Sequence, residues 1–436
     1  MSVFVLFAVL FGTIMIGVPI AVALGLSSVV VVMAFSNNSL ASLALKLSQA
    51  MNSYTLLAIP FFVLAANLMM KGGLAETLVR FSTSLVGHIR GGLAASGVLA
   101  CVLFAAISGS SPATVLAIGS IAIAGMLQAG YRKKFAAGLI CSAGTLGILV
   151  PPSIPFIIYA AATETSVGRL FAAGIVPSIV LASMLIATIY VVGRKGGLPS
   201  LPRASLRDVW SAFREAFWSL FMIFLILGGI YGGVFTPTEA AAVAAVYAFL
   251  VSVFLRGELR LVDVPKVLLD SAKTTIMLMF IIANALLFSM VLTEQRIPTL
   301  ITEAIVNAEM SRTVFLIMMN VILLIAGNFM EPAVIILILA PIFLPIALQL
   351  GIDPIHLGVI MVVNMEIAMI TPPVGLNLYV TSAITRMDLW WVTKSVLPWL
   401  LVLLVFLVIV TWVPILSTWL PDLLFGPETV VPRRAI

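Results

Sequence analysis

The oxygen-bearing residues of this chain fall where long apolar runs are interrupted. Ser108, Ser110, Ser111 and Thr114 surround Gly109 and Pro112 in a stretch otherwise built of Ala, Val, Leu and Ile. Further on comes Gly144-Thr145-Leu146-Gly147-Ile148-Leu149-Val150-Pro151-Pro152-Ser153. Gly327, Asn328 and Glu331 then precede Pro332, and Thr371-Pro372-Pro373-Val374-Gly375-Leu376-Asn377 follows. Gly and Pro interrupt helices, and an interruption inside a membrane frees carbonyl oxygens and exposes helix ends. Carbonyl and hydroxyl oxygens suit a hard cation such as sodium, whereas helix N-termini suit an anionic group of a substrate. Any one serine could instead bond back to its own helix. The grouping of four favours ligation.

Acids inside apolar runs are rarer. Glu366 lies five residues before Thr371, where an unpaired carboxylate is expensive and should face a cavity or a protein partner. A structural role is as open to it as a functional one. Glu331 falls at a hairpin tip and is expected to reach water. Glu239, in Thr236-Pro237-Thr238-Glu239, reads as an acid at a helix start. His88 and His356 stand alone at expected interfaces and are read as solvated. Cys101 and Cys141 lie in apolar segments and read as packing residues, neither a disulfide nor a metal pair. His-Glu-x-x-His, Cys-x-x-Cys, Gly-x-Ser-x-Gly and Gly-x-x-x-x-Gly-Lys-Ser/Thr do not occur, so hydrolase, zinc and nucleotide chemistry lack their signatures. Transport against a gradient would then have to be driven by an ion.

The elements that position these residues follow from composition. Of 436 residues, 62% are apolar and 9% charged, against about a quarter charged in soluble domains. So little polar surface requires lipid as solvent. The apolar runs are too long and too unalternating for barrel strands, which makes the chain an all-α integral membrane protein. Spans are expected near 3–34, 54–70, 135–162, 170–193, 213–233, 238–255, 274–293, 356–384 and 394–418, about nine in all. The first exceeds a ~30 Å hydrocarbon core and should break near Gly17 and Pro19. It reads as a retained anchor and not a cleaved signal. The stretches 93–128 and 313–349 are too long for one span each and read as re-entrant helical hairpins.

With the N-terminus cytoplasmic, most of the 23 Lys and Arg fall inside, including Arg132, Lys133, Lys134, Arg203, Arg207, Arg214, Arg386 and Lys394. Lys46, Arg169, Arg296, Arg312, Arg433 and Arg434 are left outside. This is the positive-inside asymmetry. The net charge of +6 is therefore a topology signal with some attraction to anionic membrane lipid, and calls for no nucleic acid.

The interruptions also repeat. Pro112, Pro151-Pro152 and Pro177 are matched by Pro332, Pro372-Pro373 and Pro398, at offsets of 220, 221 and 221. The turn after the first hairpin, Gly130-Tyr131-Arg132-Lys133-Lys134, is basic and hence cytoplasmic. Its equivalent, Gly351-Ile352-Asp353-Pro354-Ile355-His356, has no Lys or Arg and can face outside. Inverted repeats with matched broken helices point to a secondary transporter and its midplane site. Gly and Pro also serve plain helix packing, but four matched positions are hard to attribute to that alone. A membrane-embedded enzyme and a channel are the remaining classes.

The run Ala105-Ala106-Ile107-Ser108-Gly109-Ser110-Ser111-Pro112-Ala113-Thr114 resembles the first hairpin of the large membrane subunit of tripartite ATP-independent periplasmic (TRAP) transporters. Gly144 to Pro155, Thr236 to Ala241 and Thr371 to Leu378 resemble the same family, in order along essentially the whole chain. The resemblance implies an elevator-type fold, sodium as coupling ion and a small carboxylate substrate, a C4-dicarboxylate or sugar acid. It also implies two partners, a small four-helix membrane subunit and a periplasmic substrate-binding protein, in a bacterial inner membrane. One sodium would be held by Ser108, Ser111, Gly147, Val150 and Pro152. A second would be held by Gly327, Ala368, Thr371 and Val374; Gly is usual in the family where Ala368 stands, but a backbone carbonyl survives that change. Ser110, Thr114, Asn328 and Asn377 are expected to face substrate. The division would be scaffold at 1–92, transport domain at 93–168 and 313–388, scaffold or arm helices with a cytoplasmic loop (194–212) at 169–312, and scaffold again at 389–436. A self-sufficient sodium–dicarboxylate symporter or antiporter of related fold is the alternative.

Overall fold

A computed structural model describes residues 2–35, 40–196, 198–307 and 309–427; Arg433 and Arg434 lie outside them. The expected break in the first apolar run is present. Helix α1 (Ser2–Met15) ends before Gly17, which has a φ of +86°, and α2 (Ile20–Phe35) restarts after Pro19. Helix α3 (Leu40–Met51) leads to α4 (Ala58–Lys71), which turns by 72° at Gly72-Gly73 into α5 (Leu74–Val86). The first hairpin is α6 (Gly92–Ser108) and α7 (Ser111–Gln128). Helix α8 (Lys133–Ala143), a 3-10 turn at Gly144–Ile148 and α9 (Ile154–Thr163) form the first broken element, followed by α10 (Val167–Gly196).

Two capping boxes start the middle helices. Ser205 and Asp208 open α11 (Leu206–Tyr231), and Thr236 and Glu239 open α12 (Pro237–Leu250). In each, the hydroxyl accepts from the backbone three residues on while the carboxylate accepts from the cap's own N–H. This confirms Glu239 as a helix-start acid. Then come α13 (Val264–Glu294) and α14 (Ile297–Asn307). The second half follows: α15 (Arg312–Gly327) and α16 (Pro332–Gln349), then α17 (Pro354–Ala368), α18 (Leu376–Thr385), α19 (Leu389–Trp412) and α20 (Ile415–Phe425).

Among the described residues, seven helices are long and apolar enough to cross a membrane, or eight if the bent pair α4–α5 is one span. Both α7 and α16 are in that set; at 18 residues each they are about 27 Å long. The helices α3, α5, α14 and α20 were not expected. They are 11–13 residues long, too short to register as spans. The expected span 394–418 is divided because Pro414 has no N–H to continue the ladder, so α19 stops at Trp412 and α20 begins anew. Arg169 fixes α20 against α10: its guanidinium donates to the Gly426 carbonyl and lies 3.8 Å from Asp422.

The repeat is visible in the backbone. Gly130 and Gly351 both have positive φ, as do Glu164 and Arg386 at the ends of α9 and α18. The Pro151-Pro152 and Pro372-Pro373 bonds are both cis. Pro177 and Pro398 both lie within helices, α10 and α19. The two halves interlock: α9 packs on α16, and its counterpart α18 packs on α7. Helix α17 forms the centre, with every residue from Ile355 to Ala368 buried.

Opposite orientation of the halves would put the α7–α8 and α16–α17 turns on opposite faces. Asp353 caps α17, accepting from the N–H groups of Ile355 and His356, so the neighbouring exposed Gln349 is the better reporter. Arg132→Cys and Gln349→Cys are expected to react with an impermeant maleimide from opposite sides of sealed vesicles. Cys101 and Cys141 are fully buried and should give no background. Reaction of both from one side would exclude an inverted repeat.

Candidate functional site

The first hairpin closes at Gly109 and Ser110. Gly109 ends α6 with a φ of +58°, and Ser110 is extended before α7 begins at Ser111, with Pro112 in its first turn. The Ser108 and Thr114 hydroxyls are 3.0 Å apart, and Thr114 donates to the Ser110 carbonyl at 2.8 Å. Ser108, Ser111 and Thr114 are buried.

The first broken element is pressed onto this tip. The Ile154 N–H donates to the Gly109 carbonyl at 3.4 Å. Gly147 approaches so closely that a Cβ there would lie 2.5 Å from the Ser110 carbonyl oxygen and 2.7 Å from Thr114 Oγ1. Only glycine fits. Ser153 both caps α9 and donates to the Ile148 carbonyl at 2.5 Å, bracing the break. Ser108, Ser110, Ser111, Thr114, Gly147 and Pro152 thus belong to one cluster, with Val150 two residues before Pro152 on the same break. The whole segment 144–153 is buried.

The second tip has no serines, but its backbone does the same. The Val374 N–H donates to the Asn328 carbonyl at 3.2 Å, and a Cβ on Gly327 would lie 2.5 Å from the Cβ of Ala368. Thr371 donates its hydroxyl to the Ile367 carbonyl at 2.6 Å. Here Pro372 and Pro373 are exposed, and a cavity of about 260 Å³ is lined by Gly327, Glu331, Ala368 and Val374, with Ile20 and Met277 from α2 and α13. The first break is sealed and the second is open. Glu331 is half-buried beside that opening.

Asn377 is fully buried and joins the halves. Its amide donates to Ser111 Oγ at 2.7 Å and to the Cys141 carbonyl at 3.2 Å, while its own N–H donates to the Met369 carbonyl at 3.0 Å. The Cys141 carbonyl can only accept, which fixes the amide nitrogen on that side. Oδ1 is left with no partner among the described residues.

His356 is not solvated. It is fully buried, 2.6 Å from Ser417 Oγ through Nδ1 and 3.4 Å from the Thr411 carbonyl through Nε2. The helix Ile415–Phe425 covers it, and the expected span 394–418 ran into that helix without separating it. Asn364 donates to Asn320, which donates to Thr411. These residues were missed; their signal was an asparagine in each of two otherwise apolar runs. Glu366, on the same central helix, has both carboxyl oxygens buried with no hydrogen-bond partner among the described residues. His88 is exposed, as expected. Cys101 and Cys141 are both free.

Paired helical hairpins and broken helices, repeated and interlocked, with seven or eight helices among the described residues long and apolar enough to cross a membrane, define a membrane transport protein. Residues 7–416 match the family model described as "Tripartite ATP-independent periplasmic transporter, DctM component", and the chain belongs to that family. A "C4-dicarboxylate TRAP transporter large permease protein DctM" of Pseudomonas aeruginosa is 59% identical over 400 residues, 92% of this chain and 94% of that protein. A protein of the same description from Vibrio cholerae is 53% identical, covering 99% of this chain and all of its own length. An "Isethionate TRAP transporter permease protein DctMQ" of Oleidesulfovibrio alaskensis is 40% identical, and this chain spans 63% of it. The YdaH transporter of Alcanivorax borkumensis superposes with a TM-score of 0.63 over 87% of this chain and 88% of its own, at 17% identity, a likeness of fold alone.

Proposed function

We propose that this chain is the translocation subunit of a sodium-coupled TRAP importer of a C4-dicarboxylate. The observation that carries the proposal is the pairing of each hairpin tip with its own helix break. Both pairs bring freed helix ends together. The first sets the Ser108 and Thr114 hydroxyls beside the Ser110 carbonyl and the second sets the Thr371 hydroxyl on the Ile367 carbonyl, oxygens of the kind a sodium ion takes. Ser108, Ser111, Gly147, Val150 and Pro152 hold one ion, and Gly327, Ala368, Thr371 and Val374 the other. The substrate carboxylates lie between the tips near Ser110, Thr114 and Asn328. Asn377, expected to face substrate, instead braces the first site through Ser111. The parts 93–168 and 313–388 move together against the remaining helices as an elevator, with both hairpins re-entrant. A small four-helix subunit and a periplasmic binding protein complete the system in the bacterial inner membrane.

The choice of C4-dicarboxylate follows the names of relatives above 50% identity. Reconstituted with its small subunit, the chain should take up little succinate at low concentration. Adding the succinate-loaded binding protein under an inward sodium gradient should switch uptake on, and replacing sodium with potassium should abolish it. Equal uptake with and without the binding protein would favour a self-sufficient symporter.

A further inference from the structure

The basic turn that orients the first half also lines a cavity that the transport reading leaves unused. About 570 Å³ in volume, it lies between the start of α8, the end of α10, the loop at 198–199 and the first turns of α19. Its basic members, Arg132, Lys134 and Lys394, are all exposed. Behind them, Phe135 is half-buried and Trp399 is buried, with ring centroids 5.5 Å apart and edge to face. No acid among the described residues lines the cavity. Among the described residues none of the three cations is in an ion pair.

The two lysines are instead held by aromatic faces. Lys134 Nζ stands 3.8 Å from the Trp391 ring centroid, and Lys394 Nζ is 4.7 Å from that of Trp390 and 5.3 Å from Trp391. Trp390 and Trp391 are themselves exposed, as tryptophans are at the membrane–water boundary. The Tyr131 hydroxyl donates to the Pro199 carbonyl at 3.0 Å and ties the loop to the turn. The result is a walled site and not a diffuse basic face.

The geometry points to a binding site for one anionic phospholipid, its phosphate between Arg132, Lys134 and Lys394 and the upper part of its chains against Phe135 and Trp399. Charge complementarity selects the head: three unpaired cations with no acid among them favour a phosphodiester carrying net negative charge over a zwitterion. The aromatic wall selects a lipid over a free anion, because inorganic phosphate would leave that surface unused. The volume lies within the range of small-ligand sites, and basic pockets between helices at this depth bind such heads. The site joins α8, in the first repeat, to α10 and α19, so an occupied site ties three helices at one membrane face. It does not depend on the proposed substrate or coupling ion.

The test uses the full-length chain in detergent and native mass spectrometry with added dioleoyl phosphatidylglycerol or dioleoyl phosphatidylcholine. One phosphatidylglycerol should be retained at least 10-fold in preference to phosphatidylcholine. Loss of three charges in the triple variant Arg132→Gln, Lys134→Gln, Lys394→Gln should weaken retention on the order of 100-fold. The triple variant Lys71→Gln, Lys266→Gln, Lys273→Gln removes as much exposed charge elsewhere and should retain the lipid within about twofold of the parent. Arg132→Lys with Lys134→Arg and Lys394→Arg keeps the charge and should keep the lipid, which guards against a folding defect in the neutral variant. Equal retention of the two lipids, or equal loss in both neutral triple variants, would overturn the site. Displacement of the lipid by millimolar inorganic phosphate would overturn its assignment to lipid.

Discussion

Gly147→Ala is expected to weaken the apparent sodium affinity of uptake by about 5- to 150-fold while leaving the protein in the membrane. The new methyl would stand 2.5 Å from the Ser110 carbonyl oxygen and 2.7 Å from Thr114 Oγ1. Backbone oxygen cannot swing aside as a flexible side chain can, so the break must move off the hairpin tip. Such overpacking typically costs about 1–3 kcal/mol, and each 1.4 kcal/mol is tenfold in affinity. Gly125→Ala, on the hairpin helix α7, is the matched control: an added Cβ there meets nothing within 4 Å, and alanine is the better helix residue. Sodium titration of uptake in vesicles, normalised to protein amount, separates the two. A Gly147→Ala protein with the parent's sodium response would exclude an ion site at the first tip and break.

Asn377→Leu should lower the apparent unfolding temperature of the purified chain, and Asn377→Asp should lower it further. Leucine fills a similar volume but leaves the Cys141 carbonyl and the Ser111 hydroxyl without their donor, a loss of about 1–3 kcal/mol. Aspartate leaves the same acceptor facing carboxyl oxygens in a fully buried place, which adds repulsion or an uncompensated charge. Scan rate must be held fixed, since unfolding of such proteins is commonly irreversible. A cycle with Ser111→Ala isolates the contact: the double variant should be less damaged than the sum of the singles. Additive effects, or Asp above Leu, would mean that Asn377 does not join the halves.

The sequence was most legible where chemistry is carried by the backbone. The Pro-Pro pairs, the tip glycines and the 221-residue offset are local signals, and each marks a place where the helix ladder must stop. They located both tips and both breaks to within a few residues. The burial of His356 was illegible because it depends on Ser417 and Thr411, some 60 residues away in sequence, and on a helix that begins only because Pro414 ends the one before it. The role of Asn377 was hidden for the same reason: its partners lie more than 200 residues earlier. Short helices such as Leu74–Val86 escaped because a window wide enough to find a span averages them with their polar neighbours.

The interlock of the halves has a consequence for biogenesis. Helix α9 packs on α16 and α18 packs on α7, so the ribosome completes α9 long before it makes the surface that α9 is to meet. Until α16 has been synthesised, the face of α9 that it covers has no protein partner. Each half therefore completes part of its packing only against the other. Nascent chains that stall between α10 and α16 should therefore be preferred clients of membrane quality control, whereas chains that have passed α18 can form both crossed contacts.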